Sequence, residues 1–259
     1  MTIIQAIILG VVEGITEFLP ISSTGHMILV SKLFGIGDSD FTKSFEIIIQ
    51  FGAILAVVVL YWNKLFSKRD TWKKVLTAFL PTAIIGFLLY ATLKRYLLSN
   101  SIIVIWALFL GGIALIAFEL WYKGKSFAVA QDDDAGISYK KSFAIGVAQA
   151  LSIIPGVSRS GATIIAGLLM GISREAIVEF SFLLAIPTMS VATGYDLLKS
   201  AGSFSFDQFY LLFIGFITSF IVAMLSIKWF IGYIKNHSFI SFGVYRIIIA
   251  LLFWILIVE

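Results

Sequence analysis

Two interrupted apolar stretches decide how this chain folds. Residues 20–25 read Pro-Ile-Ser-Ser-Thr-Gly inside an apolar stretch over about 2–37, and residues 155–161 read Pro-Gly-Val-Ser-Arg-Ser-Gly inside about 140–171. Proline interrupts a helix and leaves backbone groups without hydrogen-bond partners, which hydrocarbon cannot supply. Each break is therefore expected to be buried in protein or to line a wet cavity. We interpret each stretch as a re-entrant hairpin of two short helices.

The composition excludes a water-soluble globule. Of the 259 residues, 59% are hydrophobic and only 13% are charged, whereas soluble domains carry about 25% charged residues. The absence of cysteine excludes disulfides, iron–sulfur clusters and thiolate zinc sites. In so apolar a chain, a net charge of +4 is typical of a membrane protein whose cytoplasmic loops are rich in lysine and arginine. No nucleic-acid partner is therefore expected.

The remaining apolar segments predict full membrane spans. A membrane helix needs about 20 mostly apolar residues. Six segments meet that requirement: 43–63, 72–93, 100–122, 175–198, 207–230 and 240–258. The predicted fold class is an all-α polytopic membrane protein with six full spans and two re-entrant hairpins.

The two broken stretches resemble each other. Residues 22–25 align with 158–161 at an offset of 136, and Gly10 and Glu13 align with Gly146 and Gln149 at the same offset. We interpret the chain as one membrane domain over 1–259, with a repeat over about 1–122, a cytoplasmic linker over about 123–139 and a second repeat over about 140–259. Because three spans separate the hairpins, the second half is predicted to be inverted.

Loop charge predicts the orientation. With the 64–74 loop inside, twelve loop lysines and arginines lie inside and five outside; if both broken stretches spanned fully, the ratio would be ten to seven. The positive-inside rule favours re-entrant hairpins, with the first opening outward and the second inward.

A few ionisable residues lie within apolar segments. Glu13, Glu17, His26 and Arg159 fall in the hairpins, where a buried charge costs roughly 2.5–3.5 kcal/mol and marks a functional candidate. Glu13 and Glu17 are four residues apart on one helical face. They either share a proton or hold a cation, for which magnesium or calcium fits best because both prefer oxygen ligands.

The polar residues of the breaks indicate phosphoryl chemistry. In 22–26, Ser-Ser-Thr-Gly-His, the histidine can come near a hydroxyl, which is the minimal activated nucleophile. In 158–160, Ser-Arg-Ser opens a helix whose N-terminus is an anion site, with a guanidinium suited to phosphate. Alternatively, the serines are simple helix caps, and Arg159 only neutralises Glu13 or Glu17. Glu46 and Gln50, one turn apart, support the site or only pack.

The motifs resemble a known family. Residues 13–26, Glu-Gly-Ile-Thr-Glu-Phe-Leu-Pro-Ile-Ser-Ser-Thr-Gly-His, and 155–163, Pro-Gly-Val-Ser-Arg-Ser-Gly-Ala-Thr, are similar to the two signatures of the undecaprenyl-diphosphate phosphatases of the bacitracin-resistance type. Residues 43–50 and 180–187 also look familial. The likeness covers nearly the whole chain.

The resemblance implies an activity and residue roles. It implies hydrolysis of undecaprenyl diphosphate to undecaprenyl phosphate and inorganic phosphate with a divalent cation, in the bacterial plasma membrane, at a site facing the periplasm or exterior. Such recycling of the lipid carrier serves peptidoglycan synthesis and confers bacitracin resistance. The implied catalytic residues are Ser23 as nucleophile, His26, which activates it or protonates the leaving group, Glu17, Glu13 and Arg159; whether Ser23 or water attacks stays open. The implied substrate-binding residues are Ser22, Thr24, Ser158, Arg159, Ser160 and Gly161. Glu13 and Glu17 are implied as metal ligands or as an acid/base pair.

Two alternatives stay open. Inverted repeats with broken helices are also typical of transporters, so a lipid-carrier flippase is the rival function. A homodimer is the second open question, because Gly111, Gly112 and Gly124 permit close helix packing without requiring it.

Overall fold

A computed structural model describes residues 1–37, 39–67, 69–96, 101–123, 137–200 and 205–258. Most of these residues lie in eleven α-helices and one short 3₁₀ turn over Ala150–Ile153, and the all-α class is confirmed for them. The helices are α1 (Ile3–Thr16), α2 (Ser23–Leu33), α3 (Asp40–Leu60), α4 (Trp62–Ser67), α5 (Arg69–Tyr96), α6 (Ser101–Lys123), α7 (Tyr139–Gln149), α8 (Arg159–Leu169), α9 (Arg174–Ser200), α10 (Phe206–Ile234) and α11 (Ile240–Val258).

Within the described residues, five helices are long and apolar enough to cross a membrane. They contain the segments Asp40–Leu60, Arg69–Leu89, Ser101–Tyr122, Phe206–Ile234 and Ile240–Ile257, which agree with five of the six predicted spans. Large apolar side chains such as Phe87, Phe206 and Leu225 are exposed on their outer faces, where lipid takes the place of a protein neighbour. The protein is a multi-pass membrane protein. The sixth predicted span, 175–198, falls within α9, which is not among the five.

Both predicted breaks interrupt helices. The helix α1 ends at Thr16 and α2 begins at Ser23, while the 3₁₀ turn after α7 leads through Pro155 to α8. The short helices on either side of each break pack against each other. Ser22 adopts a φ of 71°, the positive value that non-glycine residues rarely take, and it is the residue at which the chain turns into α2. Such strain persists only where the surroundings enforce it.

Each first helix of a broken pair packs against a long helix from the other half of the chain: α1 contacts α10, and α7 contacts α5. Glycines permit both approaches. A methyl group on Gly10 would lie 2.8 Å from the carbonyl oxygen of Gly215, and one on Gly146 would collide with the carbonyl oxygen of Ala78. The remaining long helices pair as α3 with α9 and α3 with α10, and α6 with α11.

The largest apolar cluster joins the two halves. It includes Phe18, Leu19 and Ile21 from the first break and Ile164 from α8, packed around Phe182 of α9. The breaks therefore lie at the centre of the molecule, buried by side chains from both halves. Most of the predicted linker, 124–136, including Gly124, lies outside the described residues.

Candidate active site

A short hydrogen bond joins the first break to the end of α1. Ser23 Oγ donates to Glu17 Oε2 at 2.5 Å, and both residues are buried. Glu17 follows the last residue of α1, and Ser23 is the first residue of α2, so the break itself folds the chain back until the two side chains meet. A serine hydroxyl that donates to a carboxylate is poised to lose its proton to it.

Arg159 ties this pair to the second break. Its Nη2 donates to Glu17 Oε1 at 3.0 Å, and its Nη1 donates to the carbonyl oxygen of Ser181 at 2.7 Å. The guanidinium and the carboxylate are almost completely withdrawn from solvent. Arg159 Nε has no hydrogen-bond partner among the described residues. The alternative in which Arg159 pairs with a hairpin carboxylate is thus realised with Glu17, and one donor remains free.

Glu13 is the unsatisfied member of the cluster. Its side chain is completely buried, and no donor among the described residues reaches its carboxylate oxygens; the carboxyl group of Glu17 lies close enough to share a proton with it. Glu17, Glu46 and Arg159 lie near enough to interact with it electrostatically. A buried carboxylate without partners is costly, which points to a bound cation or a bound proton.

The donor set fits a hard divalent cation. Glu13 offers two free oxygens, and Glu17 is the neighbouring carboxylate. Within the described ranges no group of three or more histidine, aspartate or glutamate side chains could hold a metal ion. Magnesium is commonly held by one or two carboxylates, completed by water and substrate phosphate oxygens. The residues present therefore fit a cation that binds together with a phosphorylated substrate.

The serines of the second break hold the first break. Ser160 Oγ donates to the carbonyl oxygen of Leu19 at 2.7 Å and lies 3.0 Å from Ser158 Oγ. Ser158 also caps α8, since its Oγ accepts from the amide of Gly161 at 3.1 Å. Both hydroxyls thus join the two breaks. The bond from the Gly161 amide supports the interpretation of Ser158 as a helix cap.

The helix that follows the first break, α2, has the same kind of cap. Ser22 Oγ accepts from the amide of Gly25 at 3.4 Å, with the same spacing as the Ser158 cap. In both short helices the first two amides have no acceptor within the helix. These are the amides of Ser23 and Thr24 in α2 and of Arg159 and Ser160 in α8. Thr24 is half-buried at the start of α2.

His26 does not contact Ser23 in the described hydrogen bonds. Its Nδ1 donates to the carbonyl oxygen of Ser22 at 2.7 Å, and its Nε2 lies 3.0 Å from the hydroxyl of Tyr245. The hydroxyl near the histidine is therefore that of a tyrosine on α11, which the sequence analysis did not single out. No local pattern could have found it, because 219 residues separate the two.

Arg246, the neighbour of Tyr245, was also missed. This buried guanidinium donates only to backbone carbonyls among the described residues: Ala107 at 2.9 Å, Gly156 at 3.0 Å, and Leu108 and Pro20 at 3.2 Å each. One side chain thus joins both breaks to α6. A lone arginine inside an apolar span was the signal that could have found it.

The space for Arg246 comes from α6. A methyl group on Gly111 would overlap the Arg246 Nη2 atom, and one on Gly112 would lie 2.7 Å from the carbonyl oxygen of Gly243. These two glycines therefore serve packing within the chain, and they carry no argument for a homodimer.

Glu46 and Gln50 lie on α3. Glu46 is half-buried and Gln50 is buried. Glu46 is near enough to interact electrostatically with Glu13, and neither side chain takes part in the described hydrogen bonds of Glu17 and Ser23. The structure thus places Glu46 at the edge of the cluster.

Comparison with known proteins identifies the family of this chain. The family model described as bacitracin resistance protein BacA matches residues 6–252. Undecaprenyl-diphosphatase of Aquifex aeolicus is 53% identical over 253 residues, which cover 98% of each chain. The proteins of the same name from Persephonella marina and Wolinella succinogenes are 52% and 49% identical, each over 98% of this chain and over 98% and 97% of their own. The chain belongs to the bacitracin resistance protein BacA family.

Proposed function

We propose that this protein hydrolyses the phosphoanhydride of undecaprenyl diphosphate to undecaprenyl phosphate and inorganic phosphate. The single observation that carries the proposal is the buried set Ser23–Glu17–Arg159, in which a hydroxyl, a carboxylate and a guanidinium from two breaks meet among apolar helices. The relatives' names supply the substrate. The reaction recycles the lipid carrier for peptidoglycan synthesis and confers bacitracin resistance.

The proposed reaction starts at Ser23. Its Oγ attacks the terminal phosphorus, and its proton passes to Glu17 Oε2, to which it already donates a hydrogen bond. The bridging P–O bond breaks, and its electron pair leaves on undecaprenyl phosphate. Water then hydrolyses the phosphoserine, which releases inorganic phosphate and restores Ser23. Trapping of a phosphorylated Ser23 distinguishes this course from direct attack by water.

The charge of the diphosphate is balanced by the second break. Arg159 retains a free Nε donor beside its bonds to Glu17 and Ser181. Helix N-termini with free amides attract anions, and both α2 and α8 begin at the breaks. We assign substrate binding to these groups: Thr24 supplies a free amide at the start of α2, whereas the amide of Gly161 is held by the Ser158 cap and fixes the start of α8.

A divalent cation, magnesium or calcium, is the proposed cofactor, with Glu13 and Glu17 as its protein ligands. The support is the buried Glu13 carboxylate, whose oxygens have no other partner among the described residues. When bound, such a cation neutralises phosphate charge. His26, whose hydrogen bonds lead to Ser22 and Tyr245 and not to Ser23, is then the proposed acid at the leaving phosphate: its Nε2 takes up a proton from water and passes it to the departing oxygen.

An inverted repeat with re-entrant hairpins is the proposed architecture. Two correspondences at an offset of 136 support it: the cap Ser22 with the cap Ser158, and the close-packing glycine Gly10 with its counterpart Gly146. In the two repeats α1 corresponds to α7 and α10 corresponds to α5. The contact between α1 and α10 therefore has a counterpart in the contact between α7 and α5. We further propose that α9 is the sixth span and that the site opens to the periplasm or exterior, as the loop charges indicate.

An intramembrane site suits this substrate. Moving the isoprenoid tail out of lipid costs about 0.8 kcal/mol per CH₂, while the diphosphate cannot enter hydrocarbon without partners. A polar cluster between buried breaks accommodates both parts at once.

The decisive experiment measures phosphate release by the purified protein from undecaprenyl diphosphate, with and without a chelator. We expect release that falls on chelation and is lost in Ser23→Ala and Arg159→Ala, while Ser241→Ala, at an exposed serine on α11, behaves like the parent. Absence of phosphate release by folded parent protein would contradict the proposal.

The rival function is transport of the lipid carrier. The observation that favours it is the pair of broken helices meeting at the centre, an arrangement typical of transporters. Reconstitution in vesicles separates the two: translocation of labelled lipid without phosphate release would support transport and exclude the hydrolase.

A further inference from the structure

The imidazole of His26 is held at both nitrogens. Nδ1 lies 2.7 Å from the carbonyl oxygen of Ser22, which can only accept, so Nδ1 carries the proton. In the neutral ring Nε2 is then an acceptor, and the hydroxyl of Tyr245, 3.0 Å away, donates to it. The two hydrogen bonds therefore define one tautomer and one ring orientation.

Tyr245 also controls the plane of the ring. The two aromatic planes are nearly parallel, at 6°, with their centroids 5.6 Å apart. A side chain that donates a hydrogen bond and also lies parallel to the acceptor ring restricts rotation about both side-chain torsions of the histidine.

Tyr245 is itself fixed by its neighbour. Arg246 binds the carbonyl oxygens of Pro20 and Gly156, one in each break, and is buried. The backbone of α11 is thereby held at the breaks, and the hydroxyl of Tyr245 is placed where α2 presents His26. Two adjacent residues of α11 thus have linked roles: Arg246 holds the helix at the breaks, and Tyr245 bonds His26.

We propose that Tyr245 is a positioning residue for His26: its hydroxyl donates to Nε2 of the neutral ring and keeps the ring proton on Nδ1, so that Nε2 is the nitrogen that takes up and releases the catalytic proton, and the same hydroxyl oxygen accepts when Nε2 is protonated. No bond to substrate is involved, and Tyr245 acts only through His26. The kinetic part of this inference rests on the proposed role of His26, whereas the tautomer and the hydrogen bond do not.

The chain offers a clean spectroscopic test because it contains only two histidines, His26 and His237. In a His237→Ala background, all imidazole signals of the detergent-solubilised protein come from His26. Long-range ¹H–¹⁵N spectra are expected to show the Nδ1–H tautomer. In Tyr245→Phe the aromatic ring remains, and the Nε2 resonance is expected to move towards the position of a nitrogen without a hydrogen bond.

Kinetics supply the second readout. Loss of one neutral hydrogen bond is worth about 1 kcal/mol, so Tyr245→Phe is expected to lower kcat about fivefold with little change in KM. In a His26→Ala background the same substitution is expected to have no further effect, because residues that act as one unit are not additive.

Tyr233 provides the matched control. It is stacked on His237 with centroids 4.3 Å apart, yet its hydroxyl binds Ser241 and not the histidine. Tyr233→Phe is expected to leave the His26 spectrum and kcat unchanged.

Three outcomes would overturn the proposal: a His26 ring protonated only at Nε2, an Nε2 resonance that does not move in Tyr245→Phe, or an equal loss of kcat with and without His26. A thermal melt of each variant identifies one that fails to fold, and Tyr245→Leu, which has no side-chain hydrogen-bond donor, then repeats the spectroscopic test. If His26→Ala instead keeps full phosphate release, the proposed role of His26 fails while the spectroscopic result still decides the hydrogen bond.

Discussion

Ser23 donates its hydroxyl proton to Glu17 across the first break, at 2.5 Å, and the same carboxylate accepts from Arg159 of the second break. One buried carboxylate thus serves both the proposed nucleophile and the proposed anion-binding arginine. Removing the carboxylate affects chemistry and strongly lowers stability, whereas removing the hydroxyl affects chemistry and takes away a single hydrogen bond.

Glu17→Gln is expected to lower kcat at least a hundredfold, the usual scale for loss of a general base. It also leaves the buried Arg159 without its countercharge, which costs about 3–5 kcal/mol of folding stability. Phosphate release and thermal unfolding in the same detergent measure the two effects. Ser23→Ala is the control: a comparable loss of kcat should occur with a smaller fall in melting temperature, because this variant removes one hydrogen bond to Glu17 and keeps its ion pair with Arg159. Equal destabilisation by both variants would contradict this account.

Glu13→Gln tests the cation. The parent protein in the presence of inorganic phosphate is expected to melt at a higher temperature when magnesium or calcium is added, because a ligand that binds only the folded state stabilises it. Replacing the unpartnered carboxylate by an amide should abolish that increase and leave the metal-free protein equally or more stable. Glu175→Gln, at an exposed carboxylate on α9, should retain the full increase. An increase that survives in Glu13→Gln would remove Glu13 from the cation site.

Ser160→Ala tests the contact between the breaks. The substitution removes one of the bonds to the buried carbonyl oxygen of Leu19, which keeps the amide of Ile21 at 2.8 Å and the weaker contact to Ser158 at 3.5 Å. Loss of one hydrogen bond costs about 0.5–1.5 kcal/mol, so denaturation should occur at lower temperature. If Ser160 instead serves only substrate, KM will rise and the melting temperature will stay constant.

Gly111→Ala tests the Arg246 clamp, by which we mean the hydrogen bonds of Arg246 to the carbonyl oxygens of Pro20 and Gly156. Its methyl group would overlap the guanidinium, which must then withdraw from the carbonyl oxygens of both breaks. We expect a loss of stability of at least about 1–3 kcal/mol, the scale of overpacking, together with reduced phosphate release. Gly232→Ala on α10 is the matched control, since its methyl group meets nothing within 4 Å. That variant should be as stable as the parent or more so by about 1 kcal/mol, and destabilisation of the two variants to the same degree would count against the clamp.

Local patterns in the sequence were sufficient for several features of the site. The breaks at Pro20 and Pro155 and the cap residues Ser22 and Ser158 could be predicted because proline geometry and capping act over a few residues. Arg246 was not predicted, because only lysines and arginines in the loops were counted, and a single charge inside a strong apolar span was left out of that count. The site-residue roles and the cation remain predictions.

The sequence by itself determined the environment of this protein and the places where its helices break, since hydropathy and backbone propensity depend on neighbouring residues. Only the tertiary structure decided which groups meet: Glu17 with Arg159 across 142 positions, His26 with Tyr245 across 219, and Pro20 with Arg246 across 226. Such pairs depend on how helices from the two halves pack, and glycines such as Gly146 and Gly111 set the distances of approach. A pattern read along the chain carries no information on those distances, which is why His26 was expected beside a serine and lies beside a tyrosine.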